Sequence, residues 1–112
     1  MVVSTKNNGA ITDLPYDSIV EVSSIITTEG PQPITWGSFK SAPRGMVQVM
    51  KSMEELTISA AVTGNYKRAL QAFTSNPLVQ SGEIAKTILN EMLVAHKEYL
   101  PQFADKIKEI EG

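Results

Sequence analysis

Pro77-Leu-Val-Gln-Ser-Gly-Glu-Ile-Ala-Lys-Thr-Ile-Leu-Asn-Glu-Met-Leu-Val-Ala-His-Lys-Glu-Tyr-Leu-Pro101 is the most strongly patterned stretch of the chain and the natural organiser of its core. Ile84, Ile88, Met92 and Tyr99 recur at helical spacing, and Ala85, Leu89, Leu93, His96 and Leu100 form a second row beside them. Lys86, Asn90, Glu91, Lys97 and Glu98 fall mostly on the other side, so the apolar face is wide enough to meet more than one neighbour. Pro101 has no N–H for a helical ladder and disfavours helix at Leu100, so the element should stop or kink there. The reading places Ile88 and Met92 in the core together with Met53 or Leu56.

Working back from this stretch, the apolar period of a helix holds from Pro43 to Thr63 through Met46, Val49, Met50, Met53, Leu56, Ala60 and Ala61. Gly64 suits a left-handed terminator, and Asn65 suits the cap of a second helix whose inward stripe is Tyr66, Ala69, Leu70 and Phe73. Asn76-Pro77 ends that helix and starts the long one. Beyond Pro101, Phe103, Ile107 and Ile110 can line one or two further amphipathic turns in a charged tail that is expected to fray.

The first third has a different character. Val2 and Val3 lead as a short strand into Asn7-Asn8-Gly9, a turn, and Leu14-Pro15 marks another corner. Ser18 to Thr28 is rich in β-branched residues (Ile19, Val20, Val22, Ile25, Ile26, Thr27, Thr28), which favours a central strand. Glu29-Gly30-Pro31 should turn the chain, and Pro33-Ile34-Thr35-Trp36-Gly37 should return as a short antiparallel edge partner. The fold class expected from this switch of period is α+β: a small antiparallel sheet from the N-terminal third packed on at least three helices.

With 112 residues the chain is read as a single domain, 1–112. Ten basic residues against 12 acidic ones, with no run of either sign, give no electrostatic pull toward nucleic acid or anionic lipid. The absence of cysteine excludes disulfides, thiolate metal ligands and cysteine nucleophiles. Apolar windows are interrupted well short of the roughly 20 residues of a membrane span, and Met-Val-Val-Ser-Thr-Lys is no signal peptide, so a cytoplasmic protein is expected.

Each candidate for chemistry has a plainer structural reading that outweighs it. His96 is the sole histidine and has no second ligand at helical or hairpin spacing, which makes it a structural residue. Glu54 and Glu55 are adjacent, point different ways on a helix, and read as solvated. Asp13 and Asp17 flank Leu14-Pro15-Tyr16 as turn formers. Met46, Met50 and Met53 read as adaptable core filling before a partner surface. Trp36 reads as a packing anchor. Asn7-Asn8-Gly9 lacks the spaced glycines of a dinucleotide loop and the Lys-Ser/Thr of a phosphate loop, and no Gly-x-Ser-x-Gly elbow occurs.

Taken in order, Asn8-Gly9-Ala10-Ile11, Leu14-Pro15, Val20-Glu21-Val22, Gly30, Asn76-Pro77-Leu78-Val79 and Ala95-His96-Lys97-Glu98-Tyr99-Leu100-Pro101 resemble the carboxy-terminal region of glycoside hydrolase family 4, its bacterial 6-phospho-β-glucosidases in particular. The likeness runs over nearly the whole chain. Ser23 departs from it where many members have proline, and Gly37-Ser38-Phe39 departs where Leu-Pro is usual. The resemblance implies an enzyme related to lactate and malate dehydrogenases, with NAD on an amino-terminal Rossmann domain and a divalent metal, usually manganese, held by a cysteine and a histidine. It also implies hydrolysis of 6-phospho-β-glucosides by oxidation at C3, proton removal from C2 by a tyrosine, elimination of the aglycone, water addition and reduction.

None of those functional positions finds a matching motif around Tyr16, Tyr66, Tyr99 or His96, so no catalytic, cofactor-binding or metal-binding residue is assigned. The expectation is therefore a carboxy-terminal fragment lacking the NAD domain, itself inactive and without NAD or manganese. It would support the pocket for a phosphorylated disaccharide or β-glucoside and form subunit contacts as a homo-oligomer, with dimer the favoured state. The alternative is a free-standing helical interaction module without enzymatic activity.

Overall fold

The computed structural model describes all residues from Met1 to Gly112. Three strands are followed by four α-helices, an α+β order as expected. β1 is Val2–Lys6, β2 Ile19–Thr27, β3 Gly30–Pro33, α1 Ser41–Thr63, α2 Tyr66–Ser75, α3 Gly82–Ala95 and α4 Ala104–Glu111, with 3₁₀ turns at Lys97–Tyr99 and Pro101–Phe103 between the last two helices. The chain divides into two compact units, Met1–Lys51 and Ser52–Gly112, and each is described by itself. No helix is long and apolar enough to cross a membrane.

In the first unit β2 is the middle strand, as its β-branched run predicts, with β1 and β3 antiparallel on either side. Val20, Val22 and Ser24 alternate inward while Ile19, Glu21, Ser23 and Ile25 face out. The flanking strands share its length: β1 pairs with Ile19 to Ser23 and β3 with Ser24 to Thr27. Val20 and Val22 form a small core with Ile11 and Leu14, completed by Phe39 and Val47.

The partner strand departs from the expectation. β3 begins at Gly30, not Pro33, because Thr28 and Glu29 alone make the turn. The Thr27 hydroxyl donates to the Gly30 carbonyl at 2.9 Å and accepts the Glu29 N–H at 3.2 Å, and Gly30 takes φ +106°, so the chain has reversed by Gly30. Pro31 and Pro33 then confine this strand to the edge.

The helical unit is organised around the patterned stretch, with corrected bounds. α3 starts at Gly82, where the Ser81 hydroxyl accepts the Ile84 N–H at 3.2 Å, rather than at Pro77. Asn76 to Ser81 is a turn in which the Asn76 side chain accepts the Leu78 N–H at 2.9 Å. α3 ends at Ala95, one turn before the expected stop, because Leu100 ahead of Pro101 sits at φ −125° and the chain tightens into 3₁₀ turns on either side of it.

The core expectation is overturned. Ala85, Leu89 and Leu93 are buried, whereas Ile88 is only half-buried, Ile84 and Met92 are 42% and 44% exposed, and Tyr99 is 79% exposed. Met53 and Leu56 are half-buried as well. The buried positions of α2 are also alanines, Ala69 and Ala72. Small side chains let helix axes approach, so the row headed by Ala85 turns inward and the bulkier row is left at the rim. Leu89 and Leu93 pack with Ala60, Ala69, Phe103 and Ile107.

The tail forms the amphipathic turns expected of Phe103, Ile107 and Ile110, but it does not fray. Phe103 and Ile107 are buried, so α4 is docked rather than frayed. Lys97 ties to Glu111 at 2.7 Å, a hydrogen bond that holds the lysine pKa above its ordinary value. Asn65 caps α2 as expected, accepting the Arg68 N–H at 3.1 Å. Gly64 at φ +68° ends α1, and any Cβ there would overlap the Gln102 carbonyl.

Candidate functional site

The loop from Asn7 to Ser18 is built around one side chain. Asn7 is completely buried; its amide nitrogen donates to the carbonyls of Ile11 (3.0 Å), Leu14 (3.1 Å) and Pro15 (3.0 Å), and its Oδ1 accepts the Ile11 N–H at 2.8 Å. Two amide hydrogens are thus shared among three carbonyls of a segment that has no ladder to satisfy them. Asn8 (φ +47°) and Gly9 (φ +83°) make the expected left-handed turn over the ring of Tyr16. By sequence alone Asn7 reads as a turn former. Its partners lie four to eight positions on, and nothing in local spacing signals them.

A second segment is stitched to this loop. The N–H groups of Trp36 and Gly37 both donate to the Ala10 carbonyl at 2.8 and 3.0 Å, Thr12 N–H donates to the Gly37 carbonyl at 2.9 Å, and the Phe39 N–H donates to Asp13 Oδ2 at 2.6 Å. Asp13, whose carboxylate also lies 4.0 Å from Arg44, is therefore a bracket between the two loops, and Asp17 pairs with Lys6. The structure commits these two carboxylates to different partners, in line with their reading as structural residues.

Between β2 and the stitched segment lies a groove of about 310 Å³ lined by Val2, Ile11, Glu21, Val22, Ser23, Trp36 and Phe39. Trp36 packs as expected, its ring resting on Phe39 with centroids 4.4 Å apart and tilted by 45°, but the residue stays 56% exposed.

The helical unit has its own cleft, about 180 Å³ and apolar, walled by Ala60, Ala69, Leu89, Leu93 and Phe103 with Met92 and His96 at its margin. His96 caps α3 through its backbone and is exposed. Tyr66 is occupied in donating to Asn90 Oδ1 at 2.7 Å, while Tyr16 and Tyr99 are exposed. Glu54 and Glu55 are exposed. The three methionines do not fill a core: Met46 is exposed and Met50 and Met53 are half-buried, the last with the Asn76 amide 3.2 Å from its sulfur.

No three histidine or carboxylate side chains are gathered anywhere in the chain, and the cysteine count is zero. The one histidine stands beside an apolar cleft with no carboxylate, thiolate or second imidazole in its lining, so the residues present do not fit a manganese site. No glycine-rich loop opens a helix in a way that would cradle the NAD pyrophosphate.

The sequence pattern of the family 4 glycosyl hydrolase C-terminal domain matches residues 1–79. The chain belongs to this family. A probable 6-phospho-beta-glucosidase of Bacillus subtilis (strain 168) is 55% identical over 106 residues, covering 95% of this chain and 24% of the relative. A maltose-6'-phosphate glucosidase of Fusobacterium mortiferum is 35% identical over 90% of this chain and 23% of its own length.

Among solved family 4 structures, a 6-phospho-alpha-glucosidase from gut microorganisms in complex with NAD and glucose-6-phosphate superposes with a TM-score of 0.87 at 35% identity, covering 91% of this chain and 23% of that one. The 6-phospho-beta glucosidase of Thermotoga maritima with manganese, NAD+ and glucose-6-phosphate does so with a TM-score of 0.79 at 33% identity, over 89% of this chain and 25% of that one. The chain thus spans about a quarter of the length of the family members it matches.

Proposed function

We propose that this chain is the carboxy-terminal domain of an enzyme that hydrolyses 6-phospho-β-glucosides in the cytoplasm by NAD- and metal-dependent oxidation and elimination. The observation that carries the reading is the 55% identity, over 95% of the chain, to a probable 6-phospho-beta-glucosidase. NAD and the divalent metal would be held by residues of the remaining three quarters of the enzyme, where the resemblance puts a Rossmann domain. When bound, NAD would accept and return the C3 hydride and the metal would polarise the C3 oxygen.

The chain's own contribution would be to back the sugar pocket and to carry subunit contacts. Ile58, Val62, Leu78, Met92 and Tyr99 are large apolar side chains left exposed on the helical unit, and Met46 and Val49 on the N-terminal half of α1, which supports a symmetric homo-oligomer, favoured as a dimer.

Two measurements test the reading. The encoding frame should contain, upstream, a glycine-rich strand-turn-helix and a metal-binding cysteine; a frame without them returns the chain to a free-standing interaction module. The isolated 112-residue chain should show no saturable NAD binding by calorimetry and no turnover of a 6-phospho-β-glucoside with manganese, and either activity would refute the division of labour.

A further inference from the structure

The groove between β2 and residues 34–39 is more elaborately made than the fold requires. Four hydrogen bonds from main-chain N–H groups, accepted by the Ala10 and Gly37 carbonyls and the Asp13 carboxylate, hold the backbone on both sides of Trp36. Yet the tryptophan they position is left 56% exposed. Burying an aromatic of that size is among the largest single apolar gains open to a small core, and no side chain of these 112 residues encloses it.

The strand opposite is unfinished as well. β3 closes β2 only from Ser24 to Thr27, so Glu21 lies on the half of that edge that β3 leaves open. Alternate residues of a strand turn their main-chain groups to the same edge. On this one, the Ser23 carbonyl accepts the Ile34 N–H at 2.9 Å and the Ile19 carbonyl accepts Lys51 Nζ at 2.7 Å. Glu21, between them, presents its N–H and C=O on that edge with no β3 partner.

We infer that this groove binds a neutral glucosyl ring. A flat, preorganised indole suits the C–H face of a pyranose, and Glu21 and Ser23, which line the same groove, carry polar groups able to take part in hydrogen bonds with ring hydroxyls. The volume of about 310 Å³ sits at the lower end of small-molecule sites and fits one ring, not an extended chain. Glu21 is the one charged residue of the lining, and its sign opposes a phosphate, so the ring held is the unphosphorylated one. The choice of a glucoside rests on the family reading; the geometry of the groove does not.

The test uses the 112-residue chain, whose single tryptophan is the probe. Titration with methyl β-D-glucopyranoside and with cellobiose should change its emission saturably, with a dissociation constant of about 1 to 10 mM. Amide shifts in a ¹⁵N spectrum should concentrate on β2 and residues 34–39. Glu21→Gln should weaken binding about tenfold, as expected for loss of one charge-assisted hydrogen bond, and Trp36→Ala should abolish the amide shifts while circular dichroism stays unchanged.

No saturable response from the folded chain overturns the inference, as does tighter binding of glucose 6-phosphate than of methyl glucoside. An upstream segment seated in the groove in the complete enzyme would also overturn it. Sugar binding and NAD binding fail separately: NAD uptake by the chain breaks the functional reading and leaves the groove standing, whereas a silent groove leaves the family assignment intact.

Discussion

In residues 1–51 the one large side chain that is completely buried is an asparagine, whereas in residues 52–112 the interior is alanine, leucine, phenylalanine and isoleucine. The strand unit has a core cluster of only four residues, Ile11, Leu14, Val20 and Val22, with Ala10 the one further buried apolar residue, so its long loop is shaped by a polar hub that satisfies four main-chain groups at once. The helical unit satisfies its backbone within its helices and needs only close apolar packing, which it obtains with small residues at the crossings. The difference teaches where each unit is vulnerable. One fails when a donor or acceptor is lost, the other when a volume changes.

Five substitutions put that contrast at risk. The largest effect is expected at Gly64→Val, which combines a β-branched side chain at φ +68° with overlap on the Gln102 carbonyl. It should cost more than about 4 kcal/mol or leave the helical unit unfolded in urea titration, and a near-neutral result would show that α1 and the 101–103 turn do not meet as described.

Next is Asn7→Ala, which orphans the Ile11 N–H and the Leu14 carbonyl and removes one of the donors to the carbonyls of Ile11 and Pro15. A loss of about 3 kcal/mol is expected, read as faster hydrogen exchange in residues 7–18 with protection of α3 unchanged. Loss of protection in both units together would erase the distinction between them.

Leu89→Ala should cost about 2 to 5 kcal/mol and Met92→Ala, on the row left at the rim, under about 1 kcal/mol; equal costs would mean that both rows of α3 are buried in solution, as in an oligomer that covers Met92. Sedimentation of the wild-type chain at micromolar concentration decides between those cases.

The smallest effect belongs to Lys97→Met. The folded-state pKa of Lys97 is raised by Glu111, so the pair's contribution is present at neutral pH and fades as pH rises above the ordinary lysine range. The difference between variant and wild type in thermal melts should shrink along that pH interval, and a difference that grows instead would place the stabilisation elsewhere.

Much of this protein is legible in its sequence because it depends on neighbours within a few residues. The β-branched run from Ile19, the left-handed turn at Asn8-Gly9, the Gly64 terminator and the Asn65 cap are set by backbone sterics and local hydrogen bonds, and all appear where the residues call for them. The ordered series of short motifs from Asn8 to Pro101 likewise carries the family.

What the tertiary structure alone decided depends on contacts that spacing does not encode. Two apolar rows one residue apart on α3 have equal claims by periodicity, and only the approach of other small-residue helices selects the row of Ala85, Leu89 and Leu93. The charged tail reads as loose until Phe103 and Ile107 find a core assembled from three other helices. Asn7 reads as a turn residue until loop closure brings Leu14 and Pro15 to its amide, and Trp36 reads as a packing anchor, its exposure set only where the short β3 leaves β2 half open beside it. In each case the sequence supplies a side chain able to take either role, and the choice is made by burial and hydrogen-bond satisfaction summed over residues far apart in the chain.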